Sequence, residues 1–288
     1  MKVRLRKSEI PTQTLKISVS SALMKEMKYI KFFAFILTLI SFFAFTLLLY
    51  PFTFIAPHFT RKIISELVSF HASVILTILQ IKVKVRNEHR MMGIENSLVV
   101  CNHLSYIDVI ILASTLPSCF VTSKEIKQSF FLGQIVTLAG CLFVDRKDRK
   151  NLKGEINELR AALSAGLNVT VFPEATSTNG SEVLRFKRPL FESAIATARP
   201  ILPFTINYTN ISNQRINTHN RDIVCWYGDM EFIPHFLKLL DQTSLTVEVQ
   251  VHEPFYPNLL ASIDLAAKAH QIISQSYRPI NNEILEAF

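Results

Sequence analysis

A histidine and a carboxylate lie five residues apart in Asn102-His103-Leu104-Ser105-Tyr106-Ile107-Asp108, just after the apolar run Leu98-Val99-Val100. An imidazole titrates near neutral pH, and one held by a carboxylate can take a proton from a hydroxyl. In one reading Asp108 sits about a turn into the helix that follows the strand. It folds back on the ring and fixes its tautomer, so that His103 acts as a base. In the other reading the stretch is a helix start, with Asn102 or Ser105 capping and Asp108 favouring the helix dipole. The chain has 8 histidines, and the spacing alone leans to the helix start.

Three segments downstream could supply other parts of a reaction. In Gly140-Cys141-Leu142-Phe143-Val144-Asp145-Arg146-Lys147-Asp148-Arg149-Lys150 a buried strand runs into four cations and two carboxylates. The guanidinium fork of Arg146 suits a phosphate, although charge runs are commonly solvated turns. In Phe172-Pro173-Glu174-Ala175-Thr176-Ser177-Thr178-Asn179-Gly180 a strand ends at a proline and a carboxylate follows in a small-residue loop. Loops at the carboxyl ends of strands hold ligands in α/β folds, so Glu174 is a candidate acceptor for a substrate hydroxyl. Lys187, after Phe186, adds positive charge nearby. The plainer reading of this segment is a polar loop. Arg199-Pro200-Ile201-Leu202-Pro203-Phe204 offers no chemistry and reads as a wall.

The elements that must carry these residues follow from hydrophobic period. Ile81–Arg86 alternates as a half-buried strand does, and Ser97–Cys101 reads as a fully buried one. A helix is expected from Ser105 or Tyr106. Leu152, Ile156, Leu159 and Leu163 share a helical face over 150–165, with Gly166 as the stop. Further expectations are a strand at 168–172, a helix at 187–197, and strands at 201–206 and 245–251. Strands alternating with helices predict an α/β fold with a mixed central sheet flanked by helices. There is no internal repeat and no low-complexity segment.

The N-terminus adds a membrane anchor to this fold. Phe32–Ala56 is uncharged over 25 residues, long enough to cross a bilayer, with a possible kink at Pro51. Eight Lys/Arg against two Glu in residues 1–31 favour a cytoplasmic N-terminus. A second apolar helix, 64–81, is interrupted by Glu66, Ser69, His71 and Ser73. It either returns through the bilayer or lies in the interface, whereas a single span would leave the rest of the chain on the opposite side. The expected organisation is a basic segment at 1–31, anchoring helices at 32–81, a catalytic domain at 82–256 facing the cytoplasm, and a helical segment at 257–288. Removing residues 1–80 is then expected to damage mainly lipid access.

The net charge of +8 suits anionic lipid or phosphorylated ligands. Nucleic acid is not expected, since no zinc-finger or RNA-recognition spacing occurs. Cys101, Cys119, Cys141 and Cys225 form no CxxC pair, so free thiols are expected rather than disulfides or a zinc site.

Taken together the four blocks resemble the membrane glycerolipid and lysophospholipid acyltransferase family. They are Asn102-His103-x4-Asp108, Gly140-x-x-Phe143-Val144-Asp145-Arg146, Phe172-Pro173-Glu174-x-Thr176 and Pro200–Pro203, with Lys124-Glu125 and Gly133 between the first two. The resemblance covers about residues 80–255. It implies acyl transfer from an acyl-CoA or acyl-ACP thioester to a lysolipid hydroxyl, with no cofactor, no metal and no acyl-enzyme. It makes His103 the base and Asp108 its partner. It places Arg146 on the acceptor phosphate and Glu174, Thr176 and Lys187 at the substrate.

The first acceptor implied is 1-acyl-sn-glycerol-3-phosphate, giving phosphatidate. Two departures from the usual Phe-Pro-Glu-Gly-Thr-Arg matter. Ala175 replaces the glycine, which disturbs the turn little if φ stays negative. Ser177 replaces the arginine and removes a phosphate donor. That run, and Cys225-Trp226-Tyr227-Gly228-Asp229-Met230 with Pro234-His235, are similar to the branch that acylates lyso-ornithine lipid, the alternative acceptor. Remoter alternatives are a hydrolase using Ser105 or Cys101, which lacks a Gly-x-Ser-x-Gly elbow, and an inactive membrane scaffold.

Overall fold

The structure, a computed structural model, describes residues 12–145, 151–258 and 260–281, with side chains described from residue 25. The strands are β1 (Ile81–Arg86), β2 (Leu98–Cys101), β3 (Cys119–Ser123), β4 (Leu142–Val144), β5 (Val169–Val171), β6 (Ile201–Ile211), β7 (Gln214–Arg215) and β8 (Leu245–Val251). They form one mixed sheet in the order β1-β8-β6-β2-β5-β3-β4, with β7 on β6. From β6 to β4 the neighbours are parallel, whereas β8 runs antiparallel to β6. Every residue of β2 and β5 is buried, as strands covered on both faces must be. β8 alternates buried and half-buried residues.

The helices are α1 (Thr12–Leu49), α2 (Phe52–Ile55), α3 (Pro57–Ile78), α4 (Tyr106–Thr115), α5 (Lys124–Gln128), α6 (Leu132–Leu138), α7 (Leu152–Ser164), α8 (Glu192–Thr197), α9 (Phe232–Leu240) and α10 (Ser262–Ser276). The predicted mixed α/β architecture is therefore present, with an apolar N-terminal helix as candidate anchor. Lys25–Leu49 is long and apolar enough to cross a membrane.

Two expected helices are redrawn. The uncharged run 32–56 is broken, because Pro51 has no N–H and cannot continue α1; the chain restarts as α2. The helix expected at 187–197 begins only at Glu192, after a 3-10 turn at Pro189–Phe191. Proline fits the first turn of a helix and not its interior. Residues 183–187 stay outside any helix, and Lys187 N donates to Pro173 O at 2.8 Å.

α3, expected as an anchoring helix, packs into the core. Its Ile64, Ala72, Ile75 and Leu76 are buried, and it packs on both α1 and α4. Of the polar residues that interrupt it, Glu66 and Ser73 face outwards. His71 is buried, with Nδ1–H donating to Leu67 O (2.8 Å) and Nε2 accepting from Ser41 of α1 (3.3 Å). The lower part of α1 is tied down as well. Lys28 pairs with Asp241 at 2.7 Å, Lys31 donates to Gln242 O, and Phe35 packs on Phe236 of α9.

Candidate active site

The turn between β2 and α4 carries the histidine. Asn102 pins its start to β6, donating from Nδ2 to Ile206 O (3.0 Å) and accepting from Ile206 N (2.8 Å). His103 Nδ1–H then donates to Asp108 Oδ2 at 2.9 Å. The same oxygen accepts the N–H groups of Leu104 (2.6 Å) and Ser105 (2.8 Å), and the Ser105 hydroxyl accepts from Ile107 N in return. That reciprocal pattern is a capping box. The two readings of the spacing are thus one structure, in which a single carboxylate starts the helix and holds the imidazole.

Asp108 is fully buried. Its second oxygen, Oδ1, accepts from the Tyr208 hydroxyl at 2.6 Å. Four donors on an acceptor-only carboxylate fix the Nδ1–H tautomer of His103 and leave Nε2 with its lone pair. The ring stacks on Phe172 at 4.0 Å between centroids, and its side chain is 16% exposed, so the base is reachable.

Glu174 sits behind this turn. Its Oε1 accepts from His103 N (2.7 Å) and its Oε2 from Leu184 N (2.8 Å). The residue is 3% exposed, and burial pushes its carboxyl up to about 8 against the pull of those two N–H groups. Both oxygens are therefore engaged with backbone, a different setting from the acceptor-hydroxyl contact expected from sequence. Thr178 N donates to His103 O and Trp226 N to Leu104 O. Ser177 donates its hydroxyl to Trp226 O. The Trp226 segment thus closes over the histidine turn. Behind it His235 donates from Nε2 to Cys225 O (3.2 Å) and accepts from Tyr106 at Nδ1 (3.0 Å).

Ala175 overturns the expectation about its turn. Its φ is +60°, the left-handed region, so alanine occupies a glycine conformation. Thr176 is exposed and turned to its own loop, at 3.3 Å from Ser177 O.

On the far side of Phe172 lies a cavity of about 950 Å³. Apolar walls come from Val144, Phe172, Phe186 and, on α10, Ile263 and Ala266. Arg185, Lys187 and Arg188 line it as exposed cations. Asp145 and Glu155 line it too, but Lys124 lies 3.7 Å and 3.2 Å from their carboxylates. Arg146 falls outside the described residues. His103, Asp108 and Glu174 are brought together, Lys187 belongs to the adjoining cavity, and Thr176 touches neither. Sequence reasoning missed Tyr208 and Arg185. Tyr208 sits in β6 between Asn207 and Thr209, and its hydroxyl is the one signal that could have marked it.

All four cysteines are free, and burial pushes the thiols up, Cys119 to about 11 and Cys141 to about 12. Ser105 is wholly buried and spent on its cap, and Cys101 is wholly buried beside Asn102. Neither is presented as a nucleophile.

The mixed α/β fold that carries this site has a counterpart among solved structures. The crystal structure of the 1-acyl-sn-glycerophosphate acyltransferase PlsC from Thermotoga maritima has the same fold, with a TM-score of 0.62 at 18% identity, over 90% of this chain and 95% of that one. Residues 82–207 match the model of the Acyltransferase family. The lyso-ornithine lipid O-acyltransferase of Rhizobium meliloti is 30% identical over 54% of this chain and 56% of its own length. The 1-acyl-sn-glycerol-3-phosphate acyltransferase of Neisseria gonorrhoeae is 29% identical over 53% of this chain and 57% of its own. The chain spans little more than half the length of these curated relatives.

Proposed function

We propose that this protein transfers a fatty acyl group from an acyl thioester to the free hydroxyl of a lysolipid. The observation that carries the reading is His103, fixed by Asp108 with Nε2 free and 16% of the side chain exposed. Nε2 takes the proton of the acceptor hydroxyl as its oxygen attacks the thioester carbonyl. The C–O bond forms, the C–S bond breaks, and the imidazolium returns the proton to the departing thiolate. The buried Asp108 carboxylate stabilises the imidazolium between these steps. Positioning replaces a covalent nucleophile. The donor is acyl-CoA or acyl-ACP.

The cavity beyond Phe172 suits the acceptor's headgroup, with Arg185, Lys187 and Arg188 as its anion-binding side and Arg146 next in sequence to the lining Asp145. Three cations with no ion pair to a described residue favour a dianionic phosphate, and hence 1-acyl-sn-glycerol-3-phosphate. One observation favours lyso-ornithine lipid instead: Ser177 stands where the family's arginine would be and turns its hydroxyl to Trp226 O. Glu174 and Thr176 shape the loop on which the acceptor rests. The apolar face of α1 supports attachment to a membrane, with the catalytic domain on its cytoplasmic side.

Purified protein offered both lysolipids with a labelled acyl thioester tests the reading. Product from either acceptor, lost by about 10²–10⁴-fold or more in His103→Ala, is the expected result. Product from the ornithine lipid alone replaces the first acceptor by the second, and near-normal turnover by His103→Ala sinks the base assignment.

A further inference from the structure

The loop between α5 and α6 carries the most exposed large apolar side chain among the described residues, Phe130 at 95%, beside Phe131 at 42%. The acyl-transfer chemistry uses neither. We propose that these two rings form a second contact with the lipid bilayer, separate from α1, which orients the catalytic domain on the membrane. The inference rests on the membrane attachment proposed above.

The loop is built to hold the rings outwards. Ser129 N and Oγ both bond Ile126 O, and Gly133 N bonds Ser129 O at 3.0 Å. A Cβ on Gly133 would lie 2.2 Å from Lys127 O, so only glycine lets α6 close on the end of α5. A turn this tight presents Phe130 rigidly. Leaving a whole phenyl ring in water forgoes the largest hydrophobic gain in the loop, which calls for an apolar partner.

Continuity names the lipid as that partner. α6 packs against α1, and just past its far end Gly140 faces the side chains of Arg61 and Ile64 on α3. Seven helical residues span about 10 Å, so the Phe130 tip lies close to the α1–α3 pair. That pair and α2 expose Phe45, Leu48, Phe54 (76%), Ile55 (78%) and Phe59. Cations lie beside the patch, with Lys62 and Lys127 exposed and Arg61 half-buried, as suits anionic headgroups.

The test uses the full chain in phosphatidylethanolamine–phosphatidylglycerol vesicles. Phe130→Trp adds one indole to a background of the single Trp226. The added emission is expected to shift to the blue and to be quenched by lipids brominated near the headgroup. Emission at the wavelength of an exposed indole, unquenched, overturns the proposal. So does a blue shift that needs no lipid and grows with protein concentration, which marks a contact between copies. In a second arm Phe130→Ser with Phe131→Ser is expected to lose activity severalfold on vesicle-borne lysolipid and to keep it on a dispersed short-chain acceptor. Equal loss on both acceptors overturns the orienting role. A wild-type protein that transfers no acyl group would refute the proposed function and leave the quenching result to be read independently.

Discussion

Tyr208 is the residue whose role the sequence hid best. Its hydroxyl is one of four donors on Asp108, and a hydrogen bond to a buried charge contributes about 1.5–3 kcal/mol. Tyr208→Phe leaves the carboxylate with three donors and the imidazole less firmly oriented. The expected result is a roughly tenfold lower kcat with KM little changed. A kcat at the wild-type level would show that three donors suffice to hold the ring. Glu174 carries the pH dependence of folding. Its carboxyl titrates at about 8 in the fold and near 4.5 when free, so the native state binds the extra proton between those values. Its contribution to stability is greatest below about pH 4.5 and is lost as pH rises through 8. Denaturant midpoints measured from pH 5 to 8 should therefore decline less in Glu174→Gln than in the wild type; equal slopes would refute the raised carboxyl. His103, Asp108 and Glu174 were legible because polar residues at the mouths of buried strands stand out. The true partners of Glu174 were not, since they are backbone groups.

Among the elements, the strands were legible to within a residue or two at β1, β2 and β8, because alternation or continuous burial leaves a clear period. The connections were less so. At 187–197 the apolar spacing suggested one helix, but Pro189 and the bond from Lys187 N to Pro173 O hold the first part against the β5 loop. That places Arg185 and Lys187 on the cavity, a consequence of non-local pairing that no local pattern announces. The turn at Ala175 shows the same limit. With φ at +60° the alanine holds a conformation that costs about 1–2 kcal/mol relative to a right-handed one. Ala175→Gly relieves that strain at some cost in unfolded-state entropy, and is expected to raise stability by about 0.5–1 kcal/mol. An unchanged or lower denaturant midpoint would mean that the methyl group's packing against the cavity outweighs the strain.

For the molecule as a whole, the question is whether the N-terminal helices are an appendage. The hydropathy of 32–81 reads as an anchor, and deleting residues 1–80 was expected to spare the chemistry. The core argues otherwise. Ile64, Ala72, Ile75, Leu76 and Leu79 are each less than 10% exposed, and Phe35 and Leu39 join them from α1. Each large side chain of this kind contributes about 1.5–3 kcal/mol by burial, so removing them forfeits on the order of 10 kcal/mol, comparable with the whole stability of a domain. Deletion of residues 1–80 is therefore expected to give a chain with no cooperative melt, even in detergent. The outward face of α1 is separable from that core. Phe33, Leu37 and Ile40 lie at helical spacing and are 64%, 51% and 58% exposed. Replacing all three by serine should keep the melting temperature within a few degrees and weaken sedimentation with vesicles. A triple variant that unfolds, or a truncated chain that melts cooperatively and turns over a short-chain acceptor, would show that the boundary between anchor and core lies elsewhere than α3 puts it.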